Sequence, residues 1–203
     1  MQSITVETLR SAIGVANSRM ITLEAELNDA DSKLGDGDTG VMLTRVLNKF
    51  AETEFAGCDL GNALQTLARA AAAATGSSLG TLFATALLTI GRMTKGNETA
   101  QWDELAGWLK AALEAMIQRG GASLGDKTVL DAMDGVAKAI EGLDSARAIS
   151  KASSVAANRV LDDFRSKPCK IGRARMFAEK SVGIDDPGML GFVRLIDALA
   201  DGR

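Results

Sequence analysis

The sequence predicts an all-α protein, an up-and-down barrel or bundle of about eight antiparallel helices. Three observations predict it. Apolar residues recur at helical spacing in segment after segment, and strand-like alternation is hard to find. Aromatic residues make up only 4% of the chain and Tyr is absent, far below what a strand-rich protein carries. Short turns marked by Gly, Asp or Pro separate the periodic stretches, so consecutive helices should lie antiparallel as neighbours.

In chain order, the first helix is expected over 5–28. Leu43, Val46, Leu47 and Phe50 form the apolar stripe of the second, and Leu64, Leu67 and Ala71 that of the third. The third ends in an alanine run, Ala70 to Ala74, which loses little entropy in a helix and lets neighbouring backbones approach closely. A fourth helix is expected over 78–94, closed by Lys95-Gly96-Asn97. Trp102, Leu105, Leu109 and Met116 mark the fifth; nothing polar accompanies this stripe, so it reads as core or as a surface for a partner helix. The last three are expected over 129–141, 147–166 and 188–200, with Gly142-Leu143-Asp144 as the turn after the first of them.

A chain of 203 residues with 46% hydrophobic content can build one substantial core, and no linker-like stretch divides it, so residues 1–203 read as a single domain. The net charge is −3 and the Lys and Arg residues are scattered, which argues against a nucleic-acid partner; an anionic ligand must be held locally. The N-terminus has no basic start or apolar stretch, and the longest nearly apolar run, Leu82 to Ile90, is too short to cross a bilayer. A cytoplasmic protein without a membrane partner is expected. Cys58 and Cys169 have no metal-ligand or redox spacing and receive no role. Histidine is absent, which removes a Ser-His-Asp triad, histidine-ligated zinc and a phosphohistidine on this chain. Catalysis must rely on carboxylates, Lys, Arg, backbone amides or a metal.

Residues 31–40 read Asp-Ser-Lys-Leu-Gly-Asp-Gly-Asp-Thr-Gly, three carboxylates beside three glycines between two helical patterns. Tight turns use the same residue types. Carboxylate oxygens nevertheless suit a hard cation, and Mg²⁺ takes few protein carboxylates and completes its shell with phosphate oxygens, which points to a nucleotide. An EF-hand does not fit: counted from Asp29, the fifth position is Lys33 and the twelfth Gly40; counted from Asp36, they are Gly40 and Leu47. Thr39 and Gly40 open the next helix and are expected to present free amides beside the metal.

Three further glycine-marked connections fall where a bundle would gather its loops at one end. Thr75-Gly76-Ser77-Ser78-Leu79-Gly80-Thr81 opens a helix whose amides attract anions, although Ser at an N-cap is routine and the Gly-Lys-Thr/Ser ending of a Walker A loop is missing. Arg119 to Thr128 is a long glycine-rich turn containing Asp126 and Lys127. Lys170-Ile171-Gly172-Arg173-Ala174-Arg175 is followed by Ser181-Val182-Gly183-Ile184-Asp185-Asp186-Pro187-Gly188. Such basic residues usually face solvent, but a guanidinium at Arg173 is well suited to grip phosphate.

Taken together, Asp31 with Gly35-Asp36-Gly37-Asp38-Thr39-Gly40, Gly125-Asp126-Lys127-Thr128, Gly172-Arg173-Ala174, and Ser181-Val182-Gly183 through Asp186-Pro187-Gly188 resemble, in order and over nearly the whole length, the L subunit of dihydroxyacetone kinase. The resemblance implies a barrel of eight antiparallel helices binding ADP or ATP and two Mg²⁺ among the loops at one end. It implies Asp31, Asp36 and Asp38 as metal ligands and Thr39, Gly40, Val41 and Met42 on the phosphate side. Ser78, Leu79, Gly120, Val129, Arg173, Asp186, Pro187 and Gly188 would be the other nucleotide contacts. It further implies phosphoryl transfer to a small ketose held covalently by a separate K subunit, with no residue here as an obvious general base.

Departures from the family pattern bear on the phosphoryl donor. Thr39 and Ile184 stand where His is frequent in the branch served by the phosphotransferase system, in which an M subunit carrying phosphohistidine rephosphorylates bound ADP; Leu79 stands where a small hydroxyl residue is common. These residues lean toward the branch in which ATP exchanges. Two rival readings are a fatty-acid-kinase-like nucleotide domain, which shares Asp-Gly-Asp-Thr-Gly, and a module that binds Mg-nucleotide for regulation or interaction without transferring phosphate.

Overall fold

The computed structural model describes residues 3–55 and 57–202; the side chains of Arg173 and Phe177 lie outside the described set. Eight helices follow one another: α1 (Val6–Ser32), α2 (Thr39–Ala51), α3 (Leu60–Ala74), α4 (Ser78–Met93), α5 (Leu105–Gly120), α6 (Val129–Ala139), α7 (Ala146–Arg165) and α8 (Pro187–Asp201). Each packs against the next, and α8 returns to α1, which closes the ring; α8 also touches α6 and α2. The all-α expectation is borne out. The sequence pattern missed one strand pairing, in which β1 (Ile4–Thr5) meets β2 (Thr99–Ala100) antiparallel. Two residues per strand are too few to show alternation.

The helix starts follow local capping. Thr5, Asp59, Ser77, Thr128, Ser145 and Asp186 each accept a backbone N–H of the following turn. Pro187 occupies the first position of α8, where its missing N–H costs nothing. Helix α1 runs four residues beyond the expected 28, so Asp31 lies in its last turn and not in a loop.

Leu27, Val46, Ala63, Ala71, Ala157, Met189 and Val193 are fully shielded in the main core, and Trp102 and Met116 are also buried. A second cluster joins α4, α5 and α6 through Ala86, Leu113, Met116, Leu130 and Met133. In the alanine run Ala71 is fully shielded and Ala70 and Ala74 pack against the core, as close packing requires, while Ala72 and Ala73 are exposed. Glycines bring α3 and α4 together further along. A Cβ on Gly61 would sit 2.6 Å from the Gly91 carbonyl oxygen, and one on Gly91 would meet Gly61 at 3.0 Å, so α3 and α4 cross backbone to backbone.

Candidate nucleotide and metal site

Every second connection ends at the same side of the ring. The turns α1–α2, α3–α4, α5–α6 and α7–α8 together enclose a cavity of about 550 Å³. The N-termini of α2, α4, α6 and α8 therefore converge there, each bringing the positive end of its dipole.

On one wall stand the carboxylates. Asp31, Asp36 and Asp38 each place an oxygen within 4.8 Å of the other two, and among the described residues no other set of three His, Cys, Asp or Glu side chains converges so closely. Asp31 is buried, whereas Asp36 and Asp38 are exposed. The backbone is shaped around this trio. A Cβ on Gly35 would strike Asp31 Oδ1, and Gly37 turns the chain at φ +77°. Asp38 occupies the N-cap of α2 yet accepts no capping bond, which leaves its carboxylate toward the cavity.

The capping of α2 comes from α1. Asp31 Oδ2 accepts the Asp38 N–H at 2.9 Å and the Thr39 N–H at 3.1 Å. Asn28 Oδ1 accepts those of Gly40 at 2.8 Å and Val41 at 3.2 Å. This corrects the expectation of free amides at Thr39 and Gly40: they are occupied, because Asn28 and Asp31 are three apart on one face of α1 and both reach the start of α2. Their role is to hold the carboxylate loop rigid. Gly40 is buried with no space for a Cβ beside the Glu24 carbonyl, and Val41 faces a separate shallow groove with Glu24 and Arg45. Neither lines the cavity, whereas Thr39 and Met42 do.

Across the cavity the donors are open. Ser77 caps α4 by accepting the Gly80 N–H at 3.0 Å, and Thr128 caps α6 by accepting that of Leu130 at 3.2 Å. The amides of Ser78, Leu79 and Val129 have no acceptor among the described residues. All three residues line the cavity, as does Gly120. Such helix-end amides suit phosphate oxygens. Leu79, Leu82, Val129 and Ile171 supply an apolar surface on which a flat aromatic base can lie.

Asp186, Pro187 and Gly188 complete the enclosure at the start of α8. Burial pushes the Asp186 carboxyl up from 3.8 to about 6; the Met189 N–H and the Lys127 ammonium oppose the rise and the Asp31 charge adds to it. Arg173 begins a 3₁₀ turn, but its side chain lies outside the described set. Its neighbours Gly172 and Ala174 line the cavity.

Two basic residues depart from the simple reading of solvated loops. Arg119, in the last turn of α5, lines the cavity. A cation at a helix C-terminus is ordinary, so nothing in the sequence singles it out. Lys127 is only 1% exposed, and its ammonium donates to the carbonyls of Arg165 at 3.1 Å, Lys167 at 2.7 Å and Ser181 at 2.8 Å. Burial pulls it below its ordinary basicity, and the nearby Cys169 and Asp186 offset part of that.

Residues 33–201 match the DAK2 domain. The chain belongs to the DAK2-domain family. This DAK2 domain is 32% identical over 186 residues to an L-erythrulose 1-kinase of Mycolicibacterium smegmatis, which covers 88% of the chain but 32% of that protein. It is 27% identical to the ADP-binding subunit DhaL of the PEP-dependent dihydroxyacetone kinase of Escherichia coli K12, with 86% of each chain covered. It is likewise 27% identical to the DhaL subunit of the PTS-dependent enzyme of Lactococcus lactis, with 98% of each covered. The chain thus spans about a third of the erythrulose kinases it matches and nearly all of the DhaL subunits, in keeping with the L-subunit resemblance of its motifs. Its fold is that of part of the dihydroxyacetone kinase of C. freundii, with a TM-score of 0.79 at 21% identity, over 100% of this chain and 36% of that one. No helix among the described residues is long and apolar enough to cross a membrane.

Proposed function

We propose that residues 1–203 act as one cytoplasmic nucleotide-holding domain of a small-ketose kinase, binding Mg-ADP or Mg-ATP and working with a K subunit that carries the substrate. One observation carries the reading: three convergent carboxylates face the open amides of α4 and α6 across a single cavity. The relatives are named as kinases of dihydroxyacetone or erythrulose, or as their ADP-binding subunits.

The residues present fit divalent magnesium. Asp31, Asp36 and Asp38 would hold it, and two ions would neutralise charge on the phosphate chain as phosphoryl transfer proceeds. The work of this chain is to bind and orient. The Ser78, Leu79 and Val129 amides receive phosphate oxygens, the apolar wall takes the base, and the α7–α8 loop limits access of water. Arg173 is proposed as a further phosphate contact.

The chain has no His to hold a ketose covalently, which is compatible with an acceptor carried by a K subunit. Leu124, Met176 and Val182 are exposed apolar residues on the α5–α6 and α7–α8 loops, two of the four that line the cavity, a fitting rim for such docking. Thr39 and Ile184, in place of His, support a donor ATP that exchanges over one regenerated by an M subunit.

Titration calorimetry with ADP, with and without Mg²⁺, tests binding, and a coupled assay with an added K subunit tests transfer to dihydroxyacetone. Magnesium-dependent ADP binding and transfer that requires both chains are expected. Binding without transfer in the presence of a competent K subunit refutes the kinase assignment, and no binding refutes the site.

A further inference from the structure

We infer that Lys127 is a positioning residue that sets the width of the nucleotide cavity by tying its two walls together through a buried ammonium. The inference rests on the nucleotide reading above. Lys127 directly precedes Thr128 and Val129, which form one wall. Its Nζ reaches across to the α7–α8 loop, which contributes Ile171, Gly172 and Ala174 to the other.

Three carbonyls accept its three protons, and they come from separate points of that loop: Arg165 at the end of α7, Lys167 two residues on, and Ser181 near the far end. One cation thereby gathers the loop at its base. The bonds around it close the same base. Gly183 N–H donates to the Arg165 carbonyl at 2.8 Å, and Cys169 N–H donates to Ser181 Oγ at 2.8 Å. On the outside, Arg165 grips Asp185 with two hydrogen bonds, at 2.8 and 3.1 Å.

A cation is required here for a reason that packing does not supply. The ammonium is excluded from water with no carboxylate in contact, so its full set of carbonyl partners is what makes burial tolerable. A neutral side chain of similar size fills the volume and leaves those carbonyls without this donor. Lys127 also takes φ +63°, a left-handed conformation rare for a side-chain-bearing residue. The backbone accepts this conformation in the turn that aims the side chain away from the cavity and into the loop.

Mg-ADP affinity and tryptic cleavage of the loop at Lys170, Arg175 and Lys180 test the inference in wild type, K127M and K127A. K127M is expected to retain wild-type helicity, bind Mg-ADP at least tenfold more weakly, and be cut faster in the loop until saturating Mg-ADP restores protection. In K127A, added propylammonium, which matches the atoms removed, is expected to recover affinity where propanol does not. Wild-type affinity and cleavage in folded K127M overturn the inference, and so does a weakened K127A that propylammonium fails to rescue, because packing alone then explains the loss. If neither variant folds, D185N loosens the same loop from its exposed side and must raise the dissociation constant; an unchanged value overturns the inference equally. Failure of the wild type to bind Mg-ADP instead refutes the nucleotide reading.

Discussion

Substitution of Gly35 by Ala strikes the carboxylate trio without removing a charge. A Cβ at this position overlaps Asp31 Oδ1 and lies 3.1 Å from its Cγ and 3.3 Å from its carbonyl oxygen, so the Asp31 carboxylate must rotate away. That carboxylate accepts two amides, from Asp38 and Thr39. Hydrogen bonds to a charged acceptor contribute roughly 1.5–3 kcal/mol each. Losing one and weakening the other costs about 2–3 kcal/mol, which for a chain of this size lowers Tm by about 5–10 °C. The displaced ligand also opens the trio, and a loss of about 1.4 kcal/mol or more in metal-dependent binding weakens Mg-ADP at least about tenfold. Gly37→Ala is the control: its Cβ would meet nothing closer than 3.5 Å, so it suffers only the roughly 1–2 kcal/mol of a left-handed residue and leaves Asp31 in place. Circular-dichroism melting and calorimetry with Mg-ADP read both effects. A G35A protein with wild-type Tm and wild-type affinity, or a G37A protein that loses as much magnesium-dependent affinity as G35A, refutes this account of the loop.

Asp36→Asn removes one ligand charge from an exposed position, and loss of magnesium-dependent ADP binding and of K-subunit-dependent turnover is expected with far-UV dichroism unchanged; unaltered turnover counts against the metal assignment. Asn28→Ala strips the cap from two amides of α2 and should destabilise the fold by about 1–2 kcal/mol in urea titration, with weaker metal binding as the carboxylate loop loosens. The Asp186 carboxyl is raised in the fold from 3.8 to about 6, so the unfolded chain ionises first and stability falls as pH rises from about 4 to about 6. The full gap corresponds to at most about 3 kcal/mol, less what access to the cavity relieves. Asp186→Asn, which keeps an N-cap acceptor, should flatten that fall in metal-free denaturation curves measured between pH 4 and pH 7; an unchanged slope shows that Asp186 is not the group responsible.

The parts of the site visible in the sequence are those carried by local chemistry. Asp31, Asp36 and Asp38 lie within eight residues of one another, and helical period plus short turns places alternate loops at one end, so the trio and the α4 and α6 starts fall together. Hidden features depend on partners distant in the chain or on direction. Asn28 looks like any polar residue of an amphipathic helix until α2 is seen to begin against it, and that contact fills the amides expected to be free. Lys127 and Arg119 have the composition of solvated loops; only the fold shows that one is buried against carbonyls 38 to 54 residues away and that the other borders the cavity. The contact between α3 and α4 is also hidden: the eye is drawn to five alanines, while Gly61 and Gly91, thirty residues apart, make it.

Anomalous diffraction from crystals soaked in Mn²⁺ and ADP tests the central claim most directly. The account predicts metal peaks bounded by Asp31, Asp36 and Asp38, with the diphosphate reaching toward the Ser78, Leu79 and Val129 amides and the base on Leu79 and Ile171. Metal elsewhere, or ADP seated outside this cavity, contradicts it.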